Sequence, residues 1–163
     1  DHPIYKLAAA IAWDSFNTIE FMSKAFNQAE IGSVQRLILH EKAHFLWAYS
    51  FDQKLKDDWA ILGGWFKDPT NTDGWSTYNT TEFVSAYAHQ KNPNEDMAES
   101  IAAYVTNPDI LMSRSVRKYE FIRDRVMHGT RYKAQIREDL PLWCITFIPI
   151  IFIRVKLSEL ILM

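Results

Sequence analysis

Cysteine is nearly absent: Cys144 stands alone in 163 residues. One cysteine excludes an internal disulfide framework and a zinc site built from several thiolates, so a metal in this chain would be held mainly by histidine and carboxylate. Net charge is also scarce, at -2, which gives no long-range field for gathering nucleic acid. Five glycines and six prolines leave room for long regular elements. The chain opens on Asp1 with no basic segment leading into an apolar one, so no signal peptide is expected from the sequence. With 48% hydrophobic and 23% charged residues, one globular domain is expected over residues 1–139.

Apolar residues at helical spacing (Ile4, Leu7, Ala8, Ile11, then Phe16, Ile19, Met22, Phe26) predict two helices across 4–29, with Asp14 or Ser15 as the cap between them. Ser33 is placed to cap a long helix over 34–50, and a further helical stretch is expected near 57–62. Three of the five glycines fall in GGWFKDPTNTDGWSTYNTT at 63–81, a long loop or a set of short hairpins. Asn92-Pro93 starts a helix over 93–105, which Asn107-Pro108 ends. Ser113 or Ser115 caps the next helix, running to 127, with Val116, Tyr119, Phe121, Ile122 and Val126 as buried candidates. The expected class is mainly α, with α+β open through a small β element at 64–87. Residues 140–163 form an apolar C-terminal segment. Its run at 141–153, PLWCITFIPIIFI, is shorter than the roughly 20 residues of a membrane span. It fits a buried strand pair, a membrane-associated end, or a terminus whose partner domain is missing.

Residues 40–44 read His-Glu-Lys-Ala-His inside the long helix. The i, i+4 spacing sets His40 and His44 on one face, where two imidazoles can reach one ion. Glu41 beside them can act as general base toward a water that zinc has acidified. A catalytic zinc needs a third protein ligand. Glu95 and Glu99 lie one turn apart at the start of a later helix, so one can ligate while the other accepts the far N–H of a histidine. The bland alternative for the histidines is an amphipathic helix with two hydrogen-bonded imidazoles and no metal.

HEKAH followed by SAYAHQKNPNEDMAES resembles the gluzincin branch of the zincin metallopeptidases, and most of all the catalytic-domain group of anthrax lethal factor. The resemblance covers roughly residues 33–127. It implies that His40, His44 and Glu95 are the metal ligands, that Glu99 supports from behind, and that Tyr87 donates to the oxyanion. It also implies a zincin-like fold, Zn²⁺ as cofactor, a peptide or protein substrate and endopeptidase activity, and it alone leans toward a secreted protein. Zincins place an edge strand before the active helix, where this sequence reads as helical. The alternatives are a catalytically inactive zincin scaffold used as a protein-binding module, or a membrane-associated interaction domain; oligomeric state is left open. His89 reads as a surface histidine, and His2 and His128 have no partnering pattern. Asn71, Asp73 and Gly74 fail as a calcium loop, because Pro69 and Thr80 would fall at the first and twelfth positions. Asn79-Thr80-Thr81 is a glycosylation sequon, and Trp59, Trp65 and Trp75 read as core or loop anchors ahead of a substrate groove.

Overall fold

The computed structural model describes residues 4–27, 30–131 and 154–156. The chain is mainly helical with small β elements. In place of the two helices expected over 4–29, strands β1 (Ala10–Trp13) and β2 (Thr18–Phe21) form an antiparallel hairpin, pairing Ala10 with Phe21 and Trp13 with Thr18. The turn is a single 3₁₀ turn at Asp14–Phe16, closed by Asn17 in the left-handed region at φ 48°. Asn is among the few side chains that enter that region readily. Three of the apolar residues that suggested helices, Ile4, Leu7 and Phe16, are exposed, so the helical spacing does not mark one continuous buried face. Strand β5 (Arg154–Lys156) pairs antiparallel with the other side of β2, giving the order β1-β2-β5 and, among the described residues, leaving β1 at an edge. The apolar run at 141–153 lies outside the described residues, and among the described residues no helix is long and apolar enough to cross a membrane.

Helix α1 (Ile31–Phe45) begins three residues before the expected start. Glu30, in an extended conformation, precedes it without a side-chain cap, and Ser33 lies inside the first turn. The helix then widens into a π turn at Leu46–Ser50, where the Phe51 N–H reaches the Leu46 carbonyl at 2.9 Å. Asp52 caps α2 (Gln53–Leu62) by accepting from the Leu55 N–H at 2.7 Å, starting it earlier than expected. A two-stranded hairpin, β3 (Trp65–Lys67) and β4 (Trp75–Thr77), supplies the expected small β element. Gly64 enters it at φ 65°, and a Cβ on Gly63 would stand 2.5 Å from the Trp65 ring. Ser85 caps the short α3 (Ala86–Gln90), and Asn92 caps α4 (Pro93–Thr106). Helices α5 (Pro108–Arg114) and α6 (Val116–Phe121) follow, capped by Asn107 and Ser115, and α6 ends in a second π turn at Ile122–Val126. Val116, a buried candidate, is exposed.

Helix α1 is held from two sides. Phe45, Leu37 and Ile38 pack on Ala10, Ile19, Phe21 and Ala25 of the β1–β2 region. Its opposite side meets α4 through Ala43 and Ala98, small residues that let the two backbones approach. The main core continues through Trp59, Met97, Ile101, Tyr104, Leu111 and Ile122, all buried. Trp59 and Trp65 are thus core anchors, while Trp75 packs partly exposed beside Trp65.

Candidate metal centre

The contact between α1 and α4 brings the residues of the two sequence motifs together. His40 and His44 project from one face of α1 and Glu95 from the first turn of α4. That turn is fixed by the Asn92 side chain, whose Oδ1 accepts from the N–H groups of Asn94 at 3.0 Å and Glu95 at 3.1 Å. Nε2 of His40 lies 3.2 Å from Nε2 of His44. Oε2 of Glu95 lies 3.2 Å from His40 Nε2 and 3.4 Å from His44 Nε2. Three donor atoms therefore face one another in a nearly equilateral triangle. The edge of a tetrahedron of N and O ligands 2.0–2.1 Å from zinc is about 3.3 Å, so the observed spacings fit the ion. Glu95 Oε2 is also buried without a well-aligned hydrogen bond, the condition of an atom oriented toward something other than a proton donor.

Behind the triangle each histidine is steered through its other nitrogen. His44 Nδ1 meets Asn94 Oδ1 at 3.1 Å, which orients the ring with Nε2 toward the triangle. His40 Nδ1 lies 2.9 Å from Glu99 Oε1, off the line of an ideal N–H···O bond. Glu99 is itself held through its second oxygen, by Arg36 Nη2 at 2.5 Å and Ser85 Oγ at 2.7 Å. Asn94, Arg36 and Ser85 have no role assigned from the sequence, although Ser85 and Asn94 fall within the stretch that carries the resemblance. The signal for Arg36 is its place four residues before His40, on the same face of α1.

Burial and mutual charge shape the ionisation of the cluster. For His40, burial disfavours the proton, but Glu95 and Glu99 outweigh it, and the pKa is pushed up to about 9. His44 is raised in the same way, with Glu95 overcoming burial. Burial pushes the two carboxylates the other way from their partners: Glu95 is nevertheless held well below its ordinary range by His40 and His44, and Glu99 is pulled down to about 2 by His40, Ser85 and Arg36. Glu41 differs. Burial raises its pKa, and the charges of His40 and His44 only partly oppose that. The backbone of Ala12, on β1, opposes the rise slightly.

Tyr87, on α3, is half-exposed with its ring centroid 6.2 Å from that of His40. Burial first, then the negative charge of Glu95, raises its pKa, so it stays a proton donor across the ordinary pH range. His40, Glu41, Tyr87 and Glu99 line one cleft of about 480 Å³ together with Ala10 of β1. His89 stands apart, packed on the Phe83 ring, and Lys42 is outside the cluster. Immediately after Glu95, Asp96 turns into the core and forms a fully buried pair with Lys118 of α6, both carboxylate oxygens 2.8 Å from Nζ, with the Trp65 indole donating at 3.1 Å. No family model, curated protein or solved structure matches this chain.

Proposed function

We propose that this protein is a zinc-dependent endopeptidase in which His40, His44 and Glu95 hold the metal and Glu41 is the general base. The observation that carries the reading is the triangle of His40, His44 and Glu95 donor atoms at 3.2–3.4 Å, with a buried carboxylate oxygen that lacks a hydrogen bond. Its donor set, two imidazoles and one carboxylate, is one that catalytic zinc takes while keeping a coordination position open. Zinc bound there supplies a Lewis acid that lowers the pKa of water toward neutrality.

The protein's own groups divide the rest of the work. Glu41, one residue from His40 and lining the same cleft, takes the proton of the attacking water on its carboxylate and returns it to the leaving amine. A raised pKa suits a group that must both accept and release that proton near neutral pH. Tyr87 donates its phenolic O–H to the scissile carbonyl oxygen as negative charge builds there. Glu99 keeps the His40 ring oriented, and Arg36 and Ser85 keep Glu99 in place. Strand β1, at an edge of its sheet among the described residues, runs beside the cleft with Ala10 in the cleft wall. An extended substrate backbone can add to that edge as one more strand, which favours a peptide substrate over a small molecule.

Cleavage of a mixture of unstructured peptides by zinc-loaded protein tests the activity. Wild type is expected to cut, and Glu41→Gln to retain its zinc while losing about 10²- to 10⁴-fold in rate, the scale of a general base. Zinc-loaded wild type that cuts nothing across a broad library would leave a binding scaffold in place of an enzyme.

A further inference from the structure

The cleft is lined by two cations, Arg36, which is paired with Glu99, and Lys24, which the chemistry above does not use. Apart from Ser33, its other walls are apolar, formed by Ala8, Ala9, Ala10 and Ala25 with Leu7 and Leu37. Lys24 Nζ, partly buried just after β2, donates to the carbonyl of Lys6 at 2.8 Å and pairs with no carboxylate among the described residues. An ammonium has three donors, so two are free for another acceptor. Arg36 shares one nitrogen with Glu99 and its side chain is 42% exposed. Glu99 is engaged by Arg36, so Lys24 is the lining cation that has no carboxylate of its own among the described residues.

We propose that this cleft holds a specificity pocket for a carboxylate carried by the substrate peptide, read by Lys24, with Arg36 lining the same cleft. The inference deepens the peptidase reading and rests on it for what is cut, though not for what binds. An acidic side chain offers apolar carbons to the alanine walls and a carboxylate to the ammonium. A lysine or arginine side chain would bring like charge into a cleft that screens poorly. The carboxylate has two sources, an acidic side chain or a free C-terminus, and the test separates them.

The full chain carrying Glu41→Gln, loaded with zinc, is titrated with acetylated, amidated alanine hexapeptides bearing Glu, Gln or Lys at each position in turn, and with the all-alanine peptide as free acid and as amide. The best Glu peptide is expected to bind about tenfold more tightly than its Gln counterpart, the scale of one hydrogen bond to a charged group, with Lys weaker still. Adding Lys24→Met is expected to abolish the preference, and Lys24→Glu to reverse it. Binding of the neutral peptide and zinc content are expected to stay unchanged in both, and Lys24→Met alone suffices if the reversal does not fold. A tenfold gain confined to the free acid supports the pocket and makes the chain terminus its ligand. Equal binding of Glu, Gln and Lys peptides, or a preference that survives Lys24→Met, overturns it. Carboxylate-selective binding by a wild type that cuts nothing leaves the pocket standing and removes the peptidase. Unselective cleavage does the opposite.

Discussion

At the scale of single residues, the candidate site consists of groups whose charges are legible only in relation to one another. The raised His40 and lowered Glu99 pKa values give the zinc-stripped protein a defined pH window. His40 rises from 6.5 to about 9, so its contribution to stability is complete below pH 6.5 and is lost as pH climbs through 9. Glu99 falls from 4.5 to about 2, so its contribution is complete above pH 4.5 and is lost as pH drops through 2. Denaturant melts of chelated protein are therefore expected to show greatest stability between pH 4.5 and 6.5, and a curve still rising at pH 8 would contradict these shifts. Arg36→Ala removes the cation that holds Glu99 and is expected to weaken zinc binding about 10- to 100-fold, read by competition with a coloured chelator. The HEKAH residues and the Glu95/Glu99 pair could be found in the sequence because each is a helical i, i+4 pattern. Which glutamate faces the histidines could not, since that depends on how α4 docks. Arg36 and Ser85 escaped because their partner, Glu99, is 63 and 14 residues away in the chain.

At the scale of elements, the sequence was readable where a cap and a periodic face coincide. Helix α4 shows this best, with Asn92 capping and Pro93 in the first turn. The hairpin was not readable as such. Ala-Ala-Ala-Ile-Ala-Trp at 8–13 has high helix propensity, and pairing with β2 against Leu37 and Ile38 overrides it. That correction places a strand, at an edge of its sheet among the described residues, ahead of α1, where the expectation had two helices. The Asp96–Lys118 pair joins α4 to α6 one residue beyond Glu95, with both side chains fully buried. Burial opposes charge on both, raising Asp96 and lowering Lys118, and their mutual attraction resists that. Lys118→Met strands the carboxylate in the core and is expected to cost about 3–5 kcal/mol in urea unfolding, while Lys118→Met combined with Asp96→Leu recovers much of it. A cost below 1 kcal/mol for the single variant would mean that the pair does not anchor α4.

At the scale of the molecule, α1 is the shared wall of two cores, one with the β1–β2 hairpin and one with α4 and its neighbours. The residues proposed to bind zinc and to act on the scissile bond lie on that helix or where it meets α3 and α4, so their geometry depends on how the two cores hold α1 between them. Zinc binding the folded chain in preference to the unfolded one should raise the melting temperature in proportion to the logarithm of free zinc. Glu95→Ala, which removes a ligand without touching either core, should flatten that response. The most direct measurement of the central claim is calorimetric titration of chelated wild type with zinc, beside His40→Ala and Glu95→Ala. The account predicts one zinc per chain for wild type and affinity lower by at least tenfold for each variant. Wild type that takes up no zinc, or variants that bind it as tightly, would contradict it.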